Sequence, residues 1–328
     1  MKLHPLFASA CLTLAAGVQA AAQSETPSQP PPIYRYLVVV DTSPAMSARK
    51  ETTSDTVHKL LFSGVLGRMR TKHGHGEGSS PVLHGDVLVV NWDHEGPSFL
   101  AAFDKRDGRE LWRVARREVT SWATPIVIEH DGRPQLIVSG TAAVRGYDLA
   151  TGKVIWECGG LSHNIVASPV AAGGMVFAGS SYEKQAMIAI RLDGARGDIT
   201  GTDRVAWTRR LRTPYVPSPL LYGDSLYYLR HYQGILSRID AKTGEERVAP
   251  QRLDAIYDVY ASPVAAAGRV YITDRRGMTM VLSHDDDAEP RVLARNRLDD
   301  SFSASAALVG RELFLRGERY LYCLVDEG

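Results

Sequence analysis

A Ser-Pro or Thr-Pro dipeptide recurs along most of the chain at nearly constant spacing, and this recurrence limits the accessible folds more than any other feature. The marks are Ser80-Pro81, Thr124-Pro125, Ser168-Pro169, Ser218-Pro219 and Ser262-Pro263, followed by Ser305-Ala306. Their second residues are separated by 44, 44, 50, 44 and 43 residues. A period of this length indicates a repeat architecture in which each unit is one supersecondary motif.

A second mark repeats with the same period. The stretches 102–115 (AFDKRDGRELWRVA), 147–160 (YDLATGKVIWECGG) and 238–250 (RIDAKTGEERVAP) each join two strand-like segments through an Asp and a Gly. Because a carboxylate can accept turn N–H groups and glycine tolerates positive φ, each stretch predicts a tight turn. Tryptophans recur with the same unit, and we expect them to be core residues: Trp112, Trp156 and Trp207.

Short alternating segments such as DVLVVN, GMVFAG and RVYITD lie between these marks. They predict four antiparallel strands per unit of about 44 residues. A single four-stranded sheet exposes two apolar faces, and sheets stacked around an axis bury both. We therefore expect an all-β protein, a β-propeller of four-stranded blades with six visible repeats. The last repeat is incomplete, because residues 301–324 supply only three strands.

The two marks and the fourth-strand tryptophan resemble the quinoprotein-like (PQQ-like) repeat. Three stretches carry the closest resemblance: HGEGSSPVLHGDVLVVNWDHEG, TSWATPIVIEHDG and DDSFSASAALVGRELFLRGERYLYCL. The resemblance implies a propeller domain over residues 71–328. Members of this family include bacterial quinoprotein dehydrogenases and the propeller lipoprotein of the outer-membrane assembly machinery. The resemblance therefore implies the fold of this chain but not one particular function.

The first residues have the pattern of a secretory signal peptide. Residues 1–20 combine Lys2 with a short apolar run and small residues at a cleavage site. Residues 21–33 are rich in Pro and Ser, which predicts an extended linker. No other stretch approaches the length of a membrane-spanning helix. We expect an exported chain, periplasmic or secreted, without a transmembrane segment in its mature form.

Residues 34–70 do not repeat. They begin with the apolar segment YRYLVVV (34–40), and a helical pattern follows. The segment resembles the start of a von Willebrand factor A domain, whose metal site begins Asp-x-Ser-x-Ser. Asp41 and Ser43 match that pattern, but Ala45 replaces the second serine and cannot bind a hard cation. We expect a truncated fragment in the place of missing N-terminal blades. Alternatively, residues 34–40 complete the last blade.

Charge and cysteine content limit the function classes. The chain has 328 residues, a formal net charge of +1 and no prominent Lys/Arg run, so nucleic acid is not an expected partner. After signal-peptide cleavage, Cys158 and Cys323 remain, far apart and without CxxC spacing. We expect both to be buried apolar residues. One structural disulfide is the alternative in an oxidising compartment.

Alternate turns of an antiparallel blade fall on the same side of the sheet. The loops that lead into the first strand of each blade (the lead-in loops) therefore share one face with the turns between second and third strands. We call this the candidate ligand face, and the opposite face carries the Asp turns. The ligand-binding candidates are His94, Glu95, Asn164, Arg230, His231, Asp258 and Asp300. The same face collects further polar residues: Asn91, Asp93, Tyr182 and Arg276.

The stretch HGHGEG raises the question of a metal site. His73, His75 and Glu77 alternate, so in an extended segment their side chains would point the same way and offer nitrogen and oxygen ligands. His163 occupies the same place before its dipeptide as His75 and is the expected fourth ligand. The alternative is a Gly-rich loop that exposes polar residues. The RGD at 196–198 lies in a longer hairpin, which we expect to be a surface loop without calcium.

Two functions from different classes follow. The first is a non-catalytic propeller of the cell envelope that binds a protein or a glycan through the candidate ligand face. The alternative, implied by the resemblance, is an oxidoreductase that uses PQQ with Ca²⁺. Those dehydrogenases carry adjacent cysteines against the cofactor, and this chain has no adjacent cysteines. A nucleophile elbow and a phosphate loop are also lacking. We favour the binding function and assign no catalytic residue.

Overall fold

The computed structural model of the chain describes residues 66–67, 69–285 and 289–325. Every described residue belongs to one compact unit, Val38–Gly328. The signal peptide, the linker and the proposed closing strand at 34–40 lie outside the described residues, as does most of the 34–70 fragment. These parts of the sequence analysis stay predictions.

The described residues form six sheets, which we number as blades 1 to 6 in chain order. Blade 1 contains β1 (Val82–His84), β2 (Val87–Trp92), β3 (Ser98–Asp104) and β4 (Glu110–Arg116). Blade 2 contains β5 (Ile126–His130), β6 (Arg133–Ser139), β7 (Val144–Asp148) and β8 (Val154–Cys158). Blade 3 contains β9 (Val170–Ala172), β10 (Met175–Ser180), β11 (Ala186–Arg191) and β13 (Val205–Arg209); the short β12 (Gly197–Asp198) lies between its last two strands in the chain.

The remaining blades repeat the pattern. Blade 4 contains β14 (Leu220–Tyr222), β15 (Ser225–Leu229), β16 (Gln233–Asp240) and β17 (Glu246–Tyr257). Blade 5 contains β18 (Val264–Ala266), β19 (Arg269–Thr273), β20 (Met278–Ser283) and β21 (Val292–Arg297). Blade 6 contains β22 (Ala307–Val309), β23 (Glu312–Arg316) and β24 (Leu321–Val325).

This arrangement confirms the predicted all-β propeller with six visible repeats. The consecutive strands of each blade pair antiparallel, and the sixth sheet has three strands in the described part of the chain. The first strands of neighbouring blades contact each other, as β1 contacts β5 and β18 contacts β22. The one helical element in the described ranges is a short 3₁₀ turn at Lys72–Gly74. No helix within those ranges is long and apolar enough to cross a membrane.

The insertion in blade 3 does more than form a surface loop. Gly197 and Asp198 are exposed, as expected, but β12 pairs in parallel with β8 and adds a fifth strand to blade 2. The Ile199 N–H donates to the carbonyl of Glu157 (2.9 Å), and the Gly159 N–H donates to Thr200 Oγ1 (2.9 Å). The insertion of one blade therefore covers the outer edge of the blade before it.

Apolar side chains from neighbouring blades share common clusters. Ile137 and Val144 of blade 2 pack with Val176 and Ile188 of blade 3, and similar clusters join the other successive pairs. Burying both faces of each sheet is what makes a single blade dependent on its neighbours.

The cysteine prediction is right for one residue and wrong for the other. Cys158 is buried in the cluster between blades 2 and 3, where burial raises the pKa of its thiol to about 11. Cys323 is exposed on β24, the outermost described strand of blade 6. No disulfide joins Cys158 to Cys323.

The Ser-Pro mark forms a series of hydrogen bonds between blades. In each bond, the backbone N–H of the residue before the proline donates to the side-chain hydroxyl of the equivalent residue one blade further on. The donor–acceptor pairs, at 2.9 to 3.0 Å, are Ser80–Thr124, Thr124–Ser168, Ser168–Ser218, Ser218–Ser262 and Ser262–Ser305. We call this series the hydroxyl ladder. One residue per blade thus acts as acceptor for the preceding blade and donor to the next.

The Asp turns behave as predicted. Asp148 Oδ1 accepts hydrogen bonds from the Thr151 N–H (2.8 Å) and the Thr151 hydroxyl (2.7 Å), while Gly152 has a φ of 70°. The Trp112 indole of blade 1 packs across this glycine, so that a Cβ there would lie 2.6 Å from the ring. The Trp112 indole N–H donates to the Leu149 carbonyl (2.9 Å).

The tryptophans therefore differ in role. Trp207 of blade 3 packs on Gly244 of blade 4 in the way that Trp112 packs on Gly152, and its indole N–H donates to the Ala241 carbonyl (2.9 Å). Trp156 alone of the three is fully buried. The prediction of core tryptophans is correct for Trp156, whereas Trp112 and Trp207 are half-buried contacts between blades.

Substitution of one rung tests the hydroxyl ladder. Ser218→Ala leaves the Ser168 N–H without its acceptor, and an unsatisfied, partly buried donor costs about 1–3 kcal/mol. We expect Ser218→Thr to be nearly neutral, because Thr124 fills the equivalent rung in blade 2. The exposed Ser303→Ala is the matched control. Urea unfolding is the measurement, and equal midpoints for Ser218→Ala and Ser303→Ala would contradict a stabilising role for the ladder.

Candidate functional site

The candidate ligand face is formed where turns of one blade meet lead-in loops of the same or the next blade. The Val259 N–H, in the lead-in loop of blade 5, donates to the Tyr232 carbonyl in the β15–β16 turn (2.9 Å). The Arg275 N–H, in the β19–β20 turn, donates to the Asp258 carbonyl (3.2 Å). These bonds place the two kinds of connection side by side, as the strand order requires.

At blade 1, the polar residues of the candidate ligand face stabilise the fold and are not free to bind a ligand. His94 is buried: its Nδ1 accepts the Arg70 N–H (3.1 Å), and its Nε2 lies 3.3 Å from the Pro97 carbonyl. Because Nδ1 accepts, the ring proton belongs on Nε2, and neither nitrogen is available to a ligand. Glu95 is exposed and accepts hydrogen bonds from the Thr120 hydroxyl (2.6 Å) and the Thr120 N–H (3.2 Å). The bond from the Thr120 side chain is the main cause that lowers the pKa of Glu95.

Asp93 belongs to a buried ionic network between blades 1 and 2. The Arg116 guanidinium donates to both of its carboxylate oxygens (2.7 and 2.9 Å), and the Ser121 hydroxyl donates a third bond (2.7 Å). Arg116 also donates to the Tyr147 hydroxyl of blade 2. A buried carboxylate that is saturated in this way holds the blades in register and is not free to bind a ligand.

The proposed metal ligands do not form an extended row. Lys72–Gly74 is a 3₁₀ turn in which His73 has a φ of 58°, and the rings of His73 and His75 lie 5.6 Å apart and tilted. His163 Nδ1 lies 2.7 Å from Glu183 Oε2. Across residues 66–67, 69–285 and 289–325, no group of three or more His, Cys, Asp or Glu is placed to hold a metal ion. The metal site with Glu77 stays a prediction.

The aspartates of the face are largely engaged by the protein itself. Asp300 accepts the N–H groups of Ser301, Arg319 and Tyr320 and the hydroxyl of Tyr322, at 2.8 to 3.2 Å. Desolvation alone would raise the pKa of Asp300, but these hydrogen bonds outweigh it and lower that pKa. Asp258 has a φ of 55° and forms an ion pair with Arg275 (3.4 Å). Both candidates therefore have structural partners.

Four tyrosines form a continuous row across blades 3, 4 and 5, which we call the tyrosine row. Tyr182 lies in the β10–β11 turn, Tyr215 in the lead-in loop of blade 4, Tyr232 in the β15–β16 turn and Tyr260 in the lead-in loop of blade 5. Successive ring centroids are 5.9, 5.7 and 4.8 Å apart, with stacked, edge and stacked geometries. Such offset and edge contacts stabilise aromatic pairs.

The middle of the row is partly buried. Tyr215 is buried, Tyr232 is half-buried, and the buried Asn164 lies close to Tyr215. Burial is the largest cause that raises the pKa values of Tyr215 and Tyr232. The phenols of Tyr215 and Tyr232 are therefore neutral at physiological pH. Asn164 and His231 adopt left-handed φ values of 56° and 51°, which non-glycine residues hold only when their surroundings fix them.

Cationic side chains cover the row and its margin. The Arg275 guanidinium lies 4.8 Å from the centroid of the Tyr260 ring, and Lys72 Nζ lies 5.7 Å from that of Tyr182. Arg276 lies 5.0 Å from the ring of Tyr257, next to the row. These distances are within the range of cation–π attraction.

The sequence analysis identified only part of this site. Arg230, His231 and Asp258 lie in a turn and a lead-in loop that carry the row, and Asn164 lies in the lead-in loop of blade 3, close to Tyr215. His94 and Asp300 serve the fold elsewhere on the face. Of the four tyrosines, only Tyr182 was assigned to the face. The signal in the sequence was the recurrence of tyrosine in successive turns and lead-in loops of the same face. Tyrosine is partly apolar, so a choice of polar residues alone does not include it.

The residues of the face do not fit a PQQ–Ca²⁺ site. The two cysteines that the structure describes, Cys158 and Cys323, lie in different blades, so no vicinal disulfide is available to pack on a cofactor. The carboxylates that would serve a hard cation are already bound: Asp93 by Arg116, Asp258 by Arg275, and Asp274 and Asp300 by backbone N–H groups. We derive no reaction step through this cofactor.

Comparison with known proteins agrees with this architecture. The repeat and the six sheets define a PQQ-like β-propeller. The chain belongs to the family described as outer membrane protein assembly factor BamB, whose profile matches residues 97–325. No curated protein sequence matches the chain significantly.

Solved structures resemble the chain at low sequence identity. BamB from Moraxella catarrhalis is 16% identical, with a TM-score of 0.45 over 79% of this chain and 84% of that chain. The computationally designed protein Ika8 is 11% identical, with a TM-score of 0.52 over 76% and 70%. A europium-containing methanol dehydrogenase is 11% identical, with a TM-score of 0.51 over 71% of this chain and 52% of that chain. At such identities, likeness indicates fold and not activity.

The surroundings of His231 predict a pH dependence of stability. Burial and then the charge of Arg230 lower the pKa of His231. As the pH falls, the His231 imidazole of the unfolded chain is therefore protonated before that of the folded chain. This difference favours unfolding, so the free energy of unfolding decreases as the pH falls below about 6.5. We expect His231→Gln to lose less stability than the wild type between about pH 7.5 and about pH 5.5. Parallel losses, measured by urea unfolding, would contradict this assignment.

Proposed function

We propose that this chain is a non-catalytic β-propeller that acts as a protein-interaction scaffold in the cell envelope. The observation that carries the proposal is the tyrosine row with its arginines on the candidate ligand face. Tyr and Arg are enriched at the energetic centres of protein interfaces, because each combines a large contact area with polar groups. The family description, an outer membrane assembly factor, supports an envelope role. The predicted signal peptide supports a periplasmic or secreted location.

A glycan is the other envelope partner that the sequence suggests. The many hydroxyl groups of a sugar need free hydrogen-bonding side chains around them. The nearby carboxylates already have partners: Asp258 lies 3.4 Å from Arg275, and Glu183 lies 2.7 Å from His163. A protein partner therefore fits the face better.

Site-specific photo-cross-linking in intact cells tests the scaffold function. A photoreactive residue in place of Tyr182, which is 46% exposed on the candidate ligand face, should cross-link to an envelope protein. The matched control replaces Leu83, which is 47% exposed on β1, near the opposite face. We expect a discrete adduct from position 182 and none from position 83. Absence of an adduct at 182, or the same adduct from both positions, would contradict the proposal.

The rival function, a PQQ-dependent oxidoreductase, has a direct assay. Purified protein is incubated with PQQ and Ca²⁺, and dye-linked oxidation of alcohols and sugars is followed. We expect no turnover above that of a heat-denatured sample, because the face offers no free calcium ligands among the carboxylates described above. Sustained turnover would replace the scaffold function with the enzymatic one.

A further inference from the structure

The tyrosine row presents aromatic surface to solvent over three successive blades. Tyr182 is 46% exposed, and Tyr232 and Tyr260 are half-buried, whereas Tyr215, between Tyr182 and Tyr232, is buried. Three partly exposed rings spread over blades 3 to 5 are suited to an extended chain, which can contact one ring after another.

The charge around the row is positive and only partly compensated. Arg275 is paired with Asp258, but Arg230 and Arg276 are exposed and form no ion pair with a carboxylate among the described residues. Lys72, over Tyr182, forms no ion pair in that part of the chain, but its charge acts on the carboxylate of Glu95. A surface with uncompensated cations attracts a partner of opposite charge and rejects a cationic one.

The row is also held in place before any partner arrives. Stacked and edge contacts join the four rings, and Tyr215 is buried between its neighbours. Aromatic side chains that are fixed in this way lose little conformational entropy on binding, so contacts with them contribute efficiently to affinity.

We propose that the tyrosine row binds an extended, acidic peptide segment of a partner protein. Apolar side chains of the segment lie on the tyrosine rings, and its carboxylates pair with Arg230, Arg276 and Lys72. Arg276 then exchanges its position over the Tyr257 ring for a bidentate contact with a carboxylate, a geometry that guanidinium groups favour. This inference rests on the proposed scaffold function and specifies its partner's chemistry.

Fluorescence anisotropy with purified protein tests the peptide chemistry. The probe is a short labelled peptide that alternates Asp or Glu with Leu or Phe, and its counterpart carries Lys in place of the acidic residues. We expect the acidic peptide to bind, the Lys peptide not to bind, and higher salt to weaken binding. The double variant Arg230→Glu/Arg276→Glu should lose about tenfold or more in affinity. Tyr182→Ser should weaken binding without removing its salt dependence.

Arg269→Glu is the matched control, because Arg269 is exposed at the start of β19, on the opposite side of blade 5. Thermal unfolding checks that each variant folds. Equal affinity of the wild type and the double variant, or no binding of the acidic peptide, would overturn the inference. Binding of a peptidoglycan fragment that Tyr182→Ser abolishes, without binding of the peptide, would replace the peptide with a glycan. A cross-linked protein at position 182 together with a failed peptide titration would refute the peptide chemistry and leave the scaffold function standing.

Discussion

The hydroxyl ladder is the interaction on which the rest of this structure depends. The residue before a proline is restricted to extended backbone, and the proline itself has no N–H to offer. At each blade, this geometry leaves the N–H of one Ser or Thr facing the next blade, where a hydroxyl accepts it. Ser305, the last acceptor of the series, is followed by alanine instead of proline. The ladder thus explains why the dipeptide, and not only its spacing, recurs.

The position of the ladder also explains the position of the binding surface. It joins the ends of successive lead-in loops by hydrogen bonds, and residues a few positions earlier meet the turns of the same or a neighbouring blade. Tyr215 and Tyr260 stand in such loops and Tyr182 and Tyr232 in such turns, and for this reason their rings alternate along one line. Apolar clusters join the successive pairs of described blades, whereas the lead-in loops differ in sequence. The strands and the ladder of each repeat therefore stabilise the fold, whereas its lead-in loop and its turn form the candidate binding surface.

The sequence predicted the features that depend on period and missed those that depend on contact between repeats. The spacing of the marks gave the blades, and the Asp and Gly of each turn gave its hydrogen bonds and positive φ, as at Asp148 and Gly152. His94 was chosen as a ligand because it is polar and lies in a turn. Its burial depends on Arg70, which is 24 residues away. Glu77 and the histidines near it were expected in an extended segment, and the 3₁₀ turn follows no periodic signal.

The fifth strand of blade 2 has a consequence for how this repeat protein unfolds. In a stack where each unit touches only its neighbours, blades can come apart one at a time, starting from either end. β12 ties the outer edge of blade 2 to the chain of blade 3, in addition to their shared apolar cluster and their rung of the ladder. Blades 2 and 3 therefore form one cooperative unit, and their amide hydrogens should exchange together. The same strand hides an edge that would otherwise be open to pairing with a strand from another molecule.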